Sequence, residues 1–245
     1  MLEINKFYLG ECIEIMKKID GQSVDMILCD LPYGTTKCKW DTIIPFKELW
    51  EQYNRIIKVN GAIVLFGSEP FSSKLRLSNE SMYKYDWYWR KSKANGFLNA
   101  KKMPLKDIET ISVFYAKPPT YNPQGILPYN KEVVNPKGKL DNTKHVSGHN
   151  GGAIKEKSYI RKFTNYPHQV LDFQGVARPM HNTQKPEELY KYLAKTYTNE
   201  GDLILDNCCG SGTIKTVSTI GRNYIGIDKE EEFYNMSCER KFEAS

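Results

Sequence analysis

Residues 202–228 constrain the fold more than any other stretch. Asp202-Leu203-Ile204-Leu205-Asp206 is a short apolar run that reads as a strand. Asn207-Cys208-Cys209-Gly210-Ser211-Gly212-Thr213 follows as a tight glycine-rich turn, then a helical stretch to about Ile220, then a second run, Tyr224-Ile225-Gly226-Ile227-Asp228. Strand, turn, helix and strand form a βαβ unit, and parallel strands of this kind belong to α/β sheets covered on both faces. Gly210 and Gly212 let the backbone turn sharply and approach a ligand closely. Asp228 ends the second strand, where a carboxylate can accept the hydroxyls of a ribose. The unit suits any adenosine-containing cofactor, although a purely structural turn leaves the same pattern. Asp206 narrows the choice. A carboxylate at the head of the turn repels a pyrophosphate but attracts the α-ammonium of an amino-acid moiety. S-adenosylmethionine carries both a ribose and that ammonium.

Five more runs, near residues 8, 27, 64, 87 and 111, bring the predicted strand count to seven. Ala62-Ile63-Val64-Leu65-Phe66 is apolar throughout, so both its faces are covered. Predicted helices run from Glu11 to about Ile19, from Pro45 to about Lys58 with Asn60-Gly61 as the stop, from Glu69 to about Leu77, and from Glu187 to Thr198. A last helix carries Phe233, Met236 and Phe242. The strand Val24–Cys29 leads into Asp30-Leu31-Pro32-Tyr33. Open α/β sheets bind ligands at the carboxyl ends of their strands, so this stretch gathers a carboxylate, a proline carbonyl and an aromatic ring at a site edge. Taken alone, it also reads as a turn capped by its aspartate.

The chain has 245 residues and a net charge of +6, with basic residues concentrated in its middle. Between Lys84 and Lys106 there are seven basic residues against one acid, and between Lys117 and Val170 nine against three. Trp87, Trp89, Tyr129, Tyr159 and Phe163 interleave with them. Lysine-rich stretches are usually solvated surface. Cations among aromatics are also what a nucleic-acid surface needs, for phosphates and for base faces. The six cysteines form no C-x-x-C pair and suit reduced thiols, and the start lacks the apolar stretch of a signal peptide. A cytoplasmic protein with no membrane segment is expected. His145 and His149 have no evident third ligand, so no metal is expected.

Three segments carry a resemblance. Asp30-Leu31-Pro32-Tyr33, then His181-Asn182-Thr183-Gln184-Lys185-Pro186, then Leu205-Asp206-Asn207-Cys208-Cys209-Gly210-Ser211-Gly212-Thr213, in that order, resemble the β group of amino-methylating DNA methyltransferases. Gly34-Thr35-Thr36 and Trp40-Asp41 are similar to phage and prophage members. The resemblance implies a Rossmann-like, seven-stranded methyltransferase sheet in circularly permuted order, catalytic part first and cofactor part last. It implies a catalytic half at 1–117, a target-recognition insertion at 118–179 and a cofactor half at 180–245.

By position, Asp30, Pro32 and Tyr33 would be catalytic. Glu11, Thr183, Gln184, Lys185, Asp206, Gly210, Gly212 and Asp228 would hold S-adenosylmethionine. Lys37, Lys39, Trp40, Arg90, Lys91 and Lys93 are candidate DNA contacts, as are Lys144, Arg161 and Lys162 farther on. The expected partners are double-stranded DNA, a second copy of the chain and a cognate restriction endonuclease. An acidic first residue in the catalytic turn leans toward adenine N6 rather than cytosine N4. An RNA methyltransferase or a non-catalytic nucleic-acid binder are the competing readings. Leu31 stands where the family usually has proline, which puts the rigidity of the turn in question.

Overall fold

The computed structural model describes residues 2–36, 38, 40–135, 157–176 and 184–242. Its strands are β1 (Lys6–Leu9), β2 (Val24–Cys29), β3 (Ile57–Gly67), β4 (Tyr83–Asn95), β5 (Lys106–Phe114), β6 (Leu127–Asn135), β7 (Lys157–Thr164), β8 (Val170–Phe173), β9 (Leu203–Asp206) and β10 (Asn223–Asp228). Its α-helices are α1 (Cys12–Met16), α2 (Phe46–Ile56), α3 (Phe71–Leu77), α4 (Glu187–Tyr197) and α5 (Glu231–Glu239). The chain forms two compact units. The larger runs to Asn122 and resumes at His168; the smaller is Pro123–Pro167.

An eight-stranded sheet organises the larger unit, in the order β1-β10-β9-β2-β3-β5-β4-β8. All seven predicted strands are in it. The eighth, β8, lies in the stretch the sequence assigned to the insertion, and it pairs parallel to β4 at the sheet edge. Four residues with one buried side chain, Leu171, give too short a pattern for periodicity to register. Pairing is parallel from β1 through β3 and antiparallel at β3–β5 and β5–β4.

Both faces are covered. Ala62, Val64 and Phe66 of β3 face α4 side chains such as Leu189, Leu193 and Tyr197. Ile63 and Leu65 face Met16 of α1, Leu49 and Tyr53 of α2, and Phe71 of α3. This alternation within a wholly apolar strand is what two-sided burial requires.

Several predicted helices differ: α1 stops at Met16 rather than near Ile19, and α5 ends at Glu239, short of Phe242. Asn60-Gly61 does not stop a helix; α2 ends at Ile56 and β3 starts at once. Gly61 sits where β3 bulges against β2, and a Cβ there would come within 2.8 Å of the Asp25 carbonyl oxygen. The stretch Thr213–Ile220 is a 3-10 helix rather than an α-helix. Its run of Thr, Ile, Val and Ser side chains, with one lysine, restricts χ1 and competes for backbone hydrogen bonds, so α-propensity is low.

The smaller unit is built on the antiparallel pair β6–β7, which runs from Leu127 opposite Thr164 to Asn135 opposite Lys157 with a register shift between Pro128 and Lys131. Among the described residues, no helix is long and apolar enough to cross a membrane.

Candidate active site

The direction of strand addition reverses between β2 and β9. From β2 the chain moves to β3 on one side, and from β9 to β10 on the other. β2 and β9 run parallel with Ile27 level with Leu205, so their carboxyl ends open onto one crevice. Open α/β sheets bind ligands at such a switch point. A cleft of about 680 Å³ lies there, walled by the Asp30–Tyr33 turn, the Cys208–Ser211 turn, Glu11, Asp228 and Lys185.

Asp30 follows directly on β2. Its Oδ1 lies 2.6 Å from the Tyr33 hydroxyl, and its Oδ2 is paired with Lys185 Nζ. The same hydroxyl lies 3.0 Å from Glu109 Oε1, so one proton faces two acceptors. Lys185 Nζ also reaches Glu109 Oε1 at 2.9 Å, and Lys91 Nζ holds Glu109 Oε2 at 2.6 Å. Two carboxylates and two ammoniums thus balance. They have to, because Lys185 and Glu109 are each only 6 % exposed and an uncompensated buried charge is costly.

The balance sets the protonation. Burial pushes the Asp30 pKa up, against the pull of Lys185. Burial works the same way on Glu109, but Lys185 and Lys91 outweigh it and bring that carboxyl down to about 2. Burial alone would lower Lys185; Asp30 and Glu109 reverse this and hold it above its ordinary value. Burial, then the two carboxylates, keep the Tyr33 phenol protonated.

The turn itself is fixed by packing. Leu31 is 4 % exposed and belongs to the core under α1–α3, so buried contacts supply rigidity where a proline is missing. The Tyr33 ring is backed by Phe71, with centroids 5.0 Å apart. Beyond it, Asp41 accepts N–H bonds from Gly34, Thr35 and Thr36 at 2.7–2.9 Å and ties the loop down. Burial opposes ionisation of Asp41, but these hydrogen bonds prevail and its pKa is lowered.

The second half of the cleft is the glycine turn. Gly210 has φ +50°, and a Cβ there would meet open space on the cleft wall. Gly212, at φ +72°, has a different job: a Cβ there would come 2.6 Å from the Ser237 Cβ, so the glycine lets α5 close on the turn. Asp228 Oδ2 accepts the Gly210 N–H at 2.8 Å and Oδ1 the Glu230 N–H at 3.0 Å. Asp206 is 1 % exposed and stands behind the cleft wall. Its carboxylate accepts the Cys208 N–H at 3.2 Å and the Tyr190 hydroxyl at 3.2 Å, and burial raises its pKa to about 7.

The family model for N6/N4 methyltransferases, described as DNA methylase, matches residues 24–239. The chain belongs to this family. Among its relatives, the type II methyltransferase M1.MboII of Moraxella bovis is 28% identical over 97% of this chain and 96% of its own length. The DNA adenine methyltransferase YhdJ of Escherichia coli K12 is 28% identical over 94% of this chain and 80% of its own. The crystal structure of the M1.HpyAVI–SAM complex superposes with a TM-score of 0.63 at 22% identity, covering 96% of this chain and 99% of that one. The sheet and its helices are therefore the α/β methyltransferase fold.

In this methylase the structure separates the residues singled out from sequence. Asp30, Pro32, Tyr33, Glu11, Gln184, Lys185, Gly210 and Asp228 all line the cleft. Asp206 and Gly212 support the turn from behind. Lys37, Lys39, Lys144, Thr183, His145 and His149 lie outside the described residues. Lys185, read from sequence as a cofactor residue, is paired with the Asp30 carboxylate. Of the candidate DNA contacts, Lys91 is paired with Glu109 and Arg90 has its guanidinium on Asp172 at 2.6 and 2.9 Å.

Trp40 lines the cleft with its ring edge-on to Phe233 at 6.1 Å. Lys93 stands at the rim, and Arg161 and Lys162 are exposed on β7 of the smaller unit. Sequence reasoning missed Glu109. On the pleated period it shares a face with Ile111 and Val113, and an acid in such a row is the signal that could have marked it.

Proposed function

We propose that this DNA methyltransferase transfers a methyl group from S-adenosylmethionine to N6 of an adenine flipped out of double-stranded DNA. The observation that carries the proposal is the placement of Asp30 in the switch-point cleft, beside the glycine turn and fixed by Tyr33. The cleft fits the cofactor. Its volume is in the range of small-molecule sites, and Gly210 leaves room for close backbone approach. Asp228, whose oxygens accept the Gly210 and Glu230 N–H groups, lines the cleft at the end of its strand, where a carboxylate can accept a ribose hydroxyl. Trp40, Phe233 and Ile13 give the wall an apolar side for an adenine ring.

When bound, S-adenosylmethionine supplies an electrophilic sulfonium methyl. The amino group of adenine is a weak nucleophile, because its lone pair is delocalised into the ring. Asp30 and a main-chain carbonyl of the turn accept its two N–H bonds, which draws the nitrogen toward tetrahedral geometry and frees that pair. A raised pKa makes Asp30 the stronger acceptor. The Tyr33 ring, stiffened by Phe71, is the platform on which the base stacks. Holding both reactants in one cleft provides much of the acceleration.

The proposal extends to the circularly permuted order of the two halves. The smaller unit is assigned to target recognition: Lys131 and Arg161 flank the Tyr129 ring at 5.3 and 5.6 Å, a basic and aromatic surface suited to nucleic acid. A homodimer and a companion endonuclease complete the reading. Cytosine N4 is the second reading, because the family covers both reactions. Single-molecule sequencing of DNA from cells expressing the wild type or Asp30→Ala decides. N6-methyladenine in one short motif, in the wild type only, is expected. N4-methylcytosine overturns adenine, and unmodified DNA in both overturns methyl transfer to DNA.

A further inference from the structure

Beyond the cleft rim, β4 and β5 continue as a hairpin. Its last pair is Asn95 opposite Lys106, and both residues still line the cleft. The loop between them is a preformed knuckle. Gly96 turns it at φ +92°, Phe97–Asn99 is one turn of 3-10 helix, and the Asn99, Ala100, Lys102 and Met103 N–H groups are bonded within the loop at 2.8–3.1 Å. At its tip Phe97 is 79 % exposed and Leu98 fully exposed, with Met103 and Leu105 half-exposed behind them. Large apolar side chains on an ordered tip have no packing role in the described unit. Lys93, Lys101, Lys102 and Lys106 belong to the same hairpin, all exposed.

We infer that the Phe97–Leu98 tip is a wedge that enters the DNA base stack beside the target base and props open the gap the flipped base leaves. The inference rests on the DNA reading above and names how that site reaches a paired base. Three features favour duplex DNA as the occupant. The exposed lysines of the hairpin complement the phosphates of a duplex that receives its tip. Apolar wedges of phenylalanine and leucine are the residue types that unstack base steps. The hairpin also starts at the cleft: Glu109, bonded to Tyr33, lies three residues along β5 from Lys106, about 10 Å by strand rise, and the tip lies just beyond that pair in the chain. A knuckle that is already folded loses little conformational freedom on insertion.

The test compares wild type with the double variant Phe97→Ala/Leu98→Ala and with Leu98→Phe. Tritiated-methyl incorporation is measured into unmethylated plasmid duplex and into the same DNA made single-stranded. A wedge acts only on the cost of opening a pair, so the double variant's duplex-to-single-strand ratio falls about tenfold or more, and Leu98→Phe keeps the wild-type ratio. Equal loss on both substrates, or no loss, overturns the inference. Permanganate reactivity of thymines in the bound plasmid is read in parallel and needs no methyl transfer. Wild-type protein that unstacks thymines but transfers no methyl leaves the wedge standing and removes the methylation reading. Thymines that stay unreactive with the wild type, or a double variant that turns a dimer into a monomer by light scattering, overturn the wedge.

Discussion

Asp30 and Asp206 stand at the carboxyl ends of adjacent parallel strands, yet their chemistry differs. Asp30 opens onto the cleft and meets the Lys185 ammonium. Asp206 lies behind the wall, where its partners are a backbone N–H and the Tyr190 hydroxyl. Burial raises both. A nearby cation keeps the first ready to act as an anion, while the second reaches a pKa of about 7 and serves the turn. Position on the fold therefore does not assign the role of a carboxylate; the charges that other segments bring to it do.

Several substitutions probe this contrast, starting with the largest effect. Asp30→Ala removes the acceptor for the amino group, and methyl transfer falls by about a hundredfold or more, on the scale of losing a preorganised polar contact. Cofactor affinity by calorimetry stays near wild type. If Asp206→Asn cost as much in transfer while sparing affinity, the two carboxylates would not be functionally distinct.

Lys185→Met comes next. It leaves Asp30 and Glu109 facing each other with only Lys91 in support, and stability drops by about 3 kcal/mol in denaturant unfolding. The Asp30 pKa rises further without Lys185, so the acid limb of the pH–rate profile moves to higher pH. An unmoved limb would mean that Asp30 does not set it.

The pH dependence of stability has opposite signs at Glu109 and Asp206. Glu109 has a folded value of about 2, below its ordinary 4.5, so its contribution is complete above about pH 4.5 and is lost as pH falls toward 2. Asp206, raised from 3.8 to about 7, holds an extra proton in the folded state between those values. Its share of stability therefore declines as pH rises from about 4 to 7. Glu109→Gln flattens the first slope and Asp206→Asn the second, in unfolding curves measured from pH 2 to 8. The same slopes in both variants would contradict the distinction.

Tyr190→Phe should have the smallest effect, about 1 kcal/mol for one buried hydrogen bond. It also raises the Asp206 pKa, so its cost grows with pH. A loss that is the same at pH 5 and pH 8 would mean that Asp206 does not ionise in this range.

The strands that lead into Asp30 and end in Asp206 and Asp228, and the sharp glycine turn at Gly210, were legible from the chain. Apolar runs and glycine turns are local, and covering both faces of a parallel sheet leaves few ways to arrange them. The adaptation at Leu31 was not legible, because only the fold shows that core packing holds it. Nor were the short edge strand β8 and the 3-10 geometry of Thr213–Ile220, which neighbouring segments decide.

The charges around Asp30 were decided by tertiary structure alone. Lys185 lies 155 residues from Asp30, and Glu109 lies 76 from Tyr33. Sequence periodicity specifies which face a residue occupies, but not which distant charge shares it. By itself the sequence determined a methyltransferase sheet with a carboxylate at the right strand end. Folding brought a lysine and a second acid to that carboxylate, and these set its charge because ionic interactions strengthen as water is excluded.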